Sequence, residues 1–202
     1  VGHRSEVTRY GIIAAIVLAL ILGGMAWYRT QATARRAAFD ALLRVMESPV
    51  ASPQEGGSGT YATQEEKEKA VAAALEEFTK EYAGTNEEAL ARYFIASNDV
   101  SDGKLDKALT EVDVAIRDGN SDTSAIARFL KANILSSQGK TDEAEKIYRE
   151  LLAGSSSGFL TKAEVTVALA RLVAKKSPDE AVKLLEPMRM EDSSTQRIVS
   201  QT

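Results

Sequence analysis

What most limits how this chain can fold is a phrase written twice. "SDGKLDKA" (Ser101–Ala108) and "SQGKTDEA" (Ser137–Ala144) agree at five of eight positions and begin 36 residues apart. That period falls within the roughly 33–47 residues of helical-hairpin repeats, in which no unit buries its apolar face alone. The competing reading is a phosphate loop around Gly139-Lys140-Thr141. Such a loop needs a glycine five residues earlier to open its backbone N–H groups to phosphate. Ile134 stands there, and the first copy has Leu105 where a metal-binding hydroxyl is required. The phrase is therefore a structural turn.

Helical periodicity and caps predict helices over 64–83, 86–101, 104–118, 122–138, 141–153, 159–175 and 178–189. Thr63 with Glu66, and Thr85 with Glu88, have the spacing of reciprocal capping boxes. Ser177-Pro178-Asp179-Glu180 places proline at a first helical position, where its missing N–H is harmless. Ala108, Ala144 and Ala181 recur at intervals of 36 and 37, with Ala74 fitting an earlier copy. Small residues are required where the second helix of each hairpin presses on the first, and Ala96 and Ala132 face them. The turn glycines are expected at positive φ. In the third copy Lys176 replaces the glycine. Before the repeats, 29–47 carries Phe39, Leu42, Leu43 and Met46 on one helical face, and 48–64 reads as a flexible loop.

From Tyr10 to Tyr28 the chain reads "YGIIAAIVLALILGGMAWY", without a charge. As a helix this spans about 28 Å, close to the hydrocarbon thickness of a bilayer. Tyr10, Trp27 and Tyr28 stand where interfacial aromatics belong, between Arg9 and Arg29. A single transmembrane helix is the expectation; a cleaved signal peptide and a buried core helix compete with it. Ala15, Ala19 and Gly23 put small side chains on one face, where a second membrane helix could pack. The arginines flanking the span leave its orientation open. The parts expected are thus a flank at 1–9, the membrane helix at 10–28, a juxtamembrane helix at 29–47, the loop at 48–64, repeats at 65–190 and a tail at 191–202. Val1 in place of Met implies residues upstream, and the tail is either part of a further helix or a frayed end.

Composition narrows the chemistry. The net charge of −4 gives no basic footprint for nucleic acid. With no cysteine, thiol catalysis, disulfides and zinc-thiolate sites are excluded; the one histidine, His3, precedes the membrane stretch, so the repeats can build no His-based triad or metal site. Glu65, Glu66, Glu68, Glu76 and Glu77 alternate with Lys67, Lys69 and Lys80, as on a solvated helix face. No cofactor and no small-molecule substrate are implied, and an enzyme is not expected. A protein-binding groove is, along the first helices of the hairpins. It would use Leu90, Tyr93 and Ser97 in one repeat and Ile126, Phe129 and Asn133 in the next, unless Tyr93 and Phe129 serve to pack the repeats together.

The alanine, glycine and aromatic positions Ala96, Gly103, Ala108 and Ala115, then Ala132, Gly139, Ala144 and Tyr148, resemble a tetratricopeptide repeat. They imply an all-α fold of three to four helix pairs behind the membrane helix. The pattern departs from the family at Arg92 and Arg128, where a large aromatic is expected. "KAVAAALEEFTKEYAGTNEEALARYFIASNDVSDGKLDKAL", following the membrane stretch and "ARRAAFDAL", is similar to the ancillary SecYEG translocon subunit family (YfgM-like proteins). That resemblance implies a single-pass protein of the bacterial inner membrane with periplasmic repeats. Its expected partners are translocon subunits, a periplasmic folding factor and client polypeptides. The alternatives are an adaptor for another envelope machine, in cell division or outer-membrane assembly, or a cytoplasmic enzyme regulator of opposite topology.

Overall fold

The computed structural model describes residues 18, 29–51, 59–154 and 157–199, with side chains as far as 189. By contact it divides into two units, residues 1–74 and 75–202. Among the described residues all regular structure is α-helical, apart from one isolated bridge between Val50 and Tyr61. Eight helices are described: α1 (29–47), α2 (Gln64–Glu81), α3 (Asn86–Ser101), α4 (Leu105–Asp118), α5 (Ser121–Ser137), α6 (Thr141–Ala153), α7 (Lys162–Val173) and α8 (Pro178–Val199).

Of the expected membrane helix only Leu18 is described, helical and 57 % exposed; the rest of 10–28, with Ala15, Ala19 and Gly23, lies outside the described residues. Within them, no helix is long and apolar enough to cross a membrane. In α1 the expected face is present, with Leu42 buried and Phe39, Leu43 and Met46 half-buried. The loop after it is tied at both ends: Ala51 N–H donates to the Tyr61 carbonyl at 2.8 Å, and Thr60 N–H to that of Pro49 at 3.0 Å. A Cβ on Gly59 would lie 2.4 Å from the Ala51 nitrogen, so this closure requires glycine. Residues 52–58 of the loop lie outside the described residues.

In the second unit each helix from α3 to α8 packs on the next, and α3 also meets α5, and α5 meets α7. The odd-numbered helices therefore adjoin one another, as the first helices of successive hairpins must. Both turn glycines have the expected left-handed φ, +75° at Gly103 and +78° at Gly139. The two turns share one set of bonds. Gly103 N–H donates to Val100 and Lys104 N–H to Asp99, while Gly139 N–H donates to Ser136 and Lys140 N–H to Leu135. This double closure satisfies carbonyls that a helix end leaves open. The N–H groups that a phosphate loop would offer are spent inside the turn.

Ala96, Ala108, Ala132 and Ala144 are fully buried, and Ala181 nearly so, whereas Ala74 is half-buried. Two apolar clusters follow. One joins Ala96, Val112, Ala115, Ala127 and Ile134; the other joins Leu135, Tyr148, Val165, Leu169 and Val173.

Four expectations need correction. First, at Thr85 only half of the capping box forms. The hydroxyl accepts the Glu88 N–H at 3.2 Å, but the Glu88 carboxylate turns away to Arg92. At Thr63 the Glu66 carboxylate reaches back to the Ala62 N–H rather than to that of Thr63. Second, α2 ends at Glu81, because Gly84 (φ +77°) opens a third left-handed turn. Third, α7 is shorter than expected, since Thr161 and Glu164 form a complete capping box that starts it at Lys162. Fourth, α8 continues past Pro187 to Val199, through most of the expected tail.

Candidate functional site

The arginines that stand in place of the aromatics link the two helices of the α3/α4 and α5/α6 hairpins. Arg92 on α3 reaches Glu111 on α4 at 2.8 Å while pairing with Glu88 at 2.5 Å. Arg128 on α5 pairs in the same way with Glu150 on α6. Glu88 is buried, so this charge is compensated inside the fold. Successive hairpins are stitched by side chains at helix starts. Asn86 Oδ1 accepts the Asn120 N–H at 2.8 Å, and Asp122 Oδ1 accepts the Gly158 N–H at 3.0 Å. By contrast, Lys69–Glu65 and Lys80–Glu76 are highly exposed pairs one helical turn apart, the solvated face expected of α2.

The expected groove residues divide between two places. On α3, Leu90, Tyr93 and Ser97 are half-buried. Tyr93 packs against the Val112 cluster and meets Phe94 edge-on, with centroids 5.7 Å apart. On α5, Ile126 and Phe129 pack against the Tyr148 cluster, and Phe129 meets the Tyr148 ring at 5.8 Å. Tyr93 thus meets a ring on its own helix and Phe129 one in its own hairpin, and each borders a cluster that joins successive helices. Asn133 is exposed, and its Oδ1 accepts the Tyr148 O–H at 2.6 Å. Burial pushes the Tyr148 phenol up to about 12 and raises that of Tyr93, so both stay protonated near neutrality.

Phe129 and Asn133 also open onto a cleft of about 500 Å³, walled by Val167, Met188, Glu164 and Arg171. A second cleft, of about 320 Å³, shares Asn133 and Arg171 and adds Tyr148, Asp142 and the basic pair Lys175 and Lys176. The shared side chains make the two a continuous depression across α5 and α7. Apolar surface at one end and mixed charge at the other suit an extended peptide or a partner's helix better than a small molecule. Lys176 and Asp142 are 3.8 Å apart and almost fully exposed, an ion pair too weak to close the cleft. Among the described residues no group of three His, Cys, Asp or Glu side chains could hold a metal ion.

The α7 and α8 contributors, Arg171 and Met188 above all, escape sequence reasoning. Without a turn glycine the third repeat has no fixed register. The available signal is Glu164, Val167 and Arg171, which recur along α7 at helical spacing.

A family model described as a tetratricopeptide repeat-like domain matches residues 7–164. The chain belongs to that family. Neither a search of curated proteins nor one of solved structures gave a significant match. Members of the tetratricopeptide repeat-like family are helical-repeat scaffolds for protein–protein contact. The family's pattern here begins before the charge-free stretch 10–28 and ends at the start of α7, ahead of the turn in which Lys176 replaces the glycine.

Proposed function

We propose that the chain is a non-enzymatic scaffold, tethered in the bacterial inner membrane by residues 10–28, whose periplasmic repeats hold polypeptides beside the Sec translocon and its folding factors. The observation that carries the binding half is the depression across α5 and α7, where apolar and charged side chains converge without any catalytic set. Nineteen uncharged residues inside the family match support the tether. The translocon half rests on the resemblance to its ancillary subunits.

Photo-crosslinking residues at Arg171 and Met188 of the full chain, in living cells, test the reading. Recovery of a translocon subunit or a periplasmic folding factor is expected, with none from Glu143 on α6. Recovery only of cell-division or outer-membrane-assembly components would replace the translocon half. A reporter fused after Thr202 is expected to be active only if it functions in the periplasm; cytoplasmic activity would overturn the topology.

A further inference from the structure

Each carboxylate that lines the depression across α5 and α7 already has a partner. Glu164 accepts both the N–H and the O–H of Thr161, at 2.8 and 2.7 Å. Glu145 pairs with Arg149 at 2.7 Å, and Asp142 stands against Lys176. Two other lining cations, Arg171 and Lys175, are exposed and form no ion pair among the described residues. Asn133 adds a donor of fixed orientation: its Oδ1 takes the Tyr148 O–H, which leaves the amide N–H groups for the depression. The uncommitted charges are therefore positive, and the uncommitted amide donates.

We infer that the depression takes an extended polypeptide stretch in which one apolar and two acidic side chains occupy alternate positions. The inference rests on the binding half of the proposed function and narrows what is held there. Val167, Arg171 and Lys175 follow one another at four-residue intervals, and the cap residue Ala174 keeps helical angles (φ −54°, ψ −32°). They form a row along one side of α7, with steps of about 6 Å. Alternate side chains of an extended chain share a face at steps of roughly 6.7 Å. An apolar residue and two acids at alternate positions therefore fall in line with that row. Phe129 and Met188 complete the apolar berth beside Val167. A partner's helix would match the steps as well, but its carbonyls are spent on its own ladder. An extended chain offers Asn133 a free backbone acceptor. Two cations one turn apart call for two carboxylates, and a chain terminus supplies one, so acidic side chains are the ligand.

The test titrates the full chain, in detergent micelles, into end-capped fluorescent peptides and reads their anisotropy. The probes are Ser-Leu-Ser-Glu-Ser-Glu-Ser and the same residues in reverse order, since the row on α7 accepts a chain in either direction. One of the two is expected to bind about tenfold more tightly than its glutamine counterpart, and more tightly than the counterpart with serine for leucine. Placing the leucine and both glutamates at four-residue intervals in a helix-forming peptide loses the preference. Arg171→Glu with Lys175→Glu, both exposed and so harmless to the fold, turns the selection towards the lysine counterpart. Equal binding of the glutamate and glutamine peptides overturns the inference. So does a helical peptide that binds as tightly, or a charge-reversed chain that still prefers glutamate. The scaffold reading is judged separately, by the crosslinks at Arg171 and Met188 in cells. Translocon subunits or folding factors captured there by a chain without the acidic preference would leave that reading intact and remove this one.

Discussion

Arg92 shows how a departure from the family pattern becomes a structural device. Its guanidinium joins Glu88, whose side chain is 2 % exposed, to Glu111 on the facing helix. Removing one partner of such a cluster strands a buried charge, so Arg92→Met is expected to lower unfolding stability by about 3 kcal/mol. Adding Glu88→Gln removes the stranded charge and restores most of the loss. Urea unfolding of the three chains checks this; a single variant as stable as the parent would mean that the cluster contributes nothing. Tyr148 makes a second, pH-dependent contribution. Burial holds its phenol near 12, above the ordinary value of about 10. The folded chain therefore retains a proton that the unfolded chain releases. This stabilisation is complete below pH 10 and is lost as pH rises from 10 towards 12. Tyr148→Phe forfeits the hydrogen bond to Asn133, about 1 kcal/mol at neutral pH. Its unfolding midpoint should then fall less steeply than the parent's above pH 10.

Among the elements, α7 is the shortest helix of the second unit and depends on its start. Its capping box satisfies N–H groups at both Thr161 and Glu164, and the Glu164 carboxyl is held below its usual range by the Thr161 hydroxyl. Thr161→Ala is expected to cost about 1 kcal/mol and to speed amide exchange in α7 and α8 while leaving α3 and α4 unchanged. Equal acceleration in all four helices would show that α7 is not a local unit. The same contrast explains what the sequence reveals. Helices α3 and α6 can be read to the residue, and α4 and α5 to within one, because glycine turns of one conformation punctuate them at a fixed period. Around α7 that punctuation is missing, and Phe159 and Leu160 extend the apolar pattern three residues too far, past a legible Thr-x-x-Glu signal. Phe129 and Asn133 reach the cleft from repeat register alone. Arg171 and Met188 do not, since their repeat lacks the anchor. Neither do the Arg92–Glu111 and Arg128–Glu150 links, whose partners lie 19 and 22 residues apart, beyond the three- and four-residue spacings that a helix makes visible.

For the molecule as a whole, a stack held by nearest neighbours should lose stability in steps rather than all at once. Deleting residues 155–202 removes Leu160, Val165, Leu169, Ala170, Val173 and Ala181, six of the ten buried members of the Tyr148 cluster. It leaves the cluster of Ala96, Val112, Ala115, Ala127 and Ile134 complete. Helix α6 would then face water where α7 covered Tyr148, while α3 and α4 keep each other and the first part of α5. The shortened chain is expected to retain slow amide exchange in α3 and α4 and to lose it in α6, with helicity reduced by more than the deleted residues account for. Loss of protection throughout 86–153 would mean that the hairpins fold as one cooperative body and that burial in the last repeat supports the first. Undiminished protection in α6 would mean that the contacts of α6 with α5 suffice, and that α7 and α8 serve the cleft more than the stability of the stack.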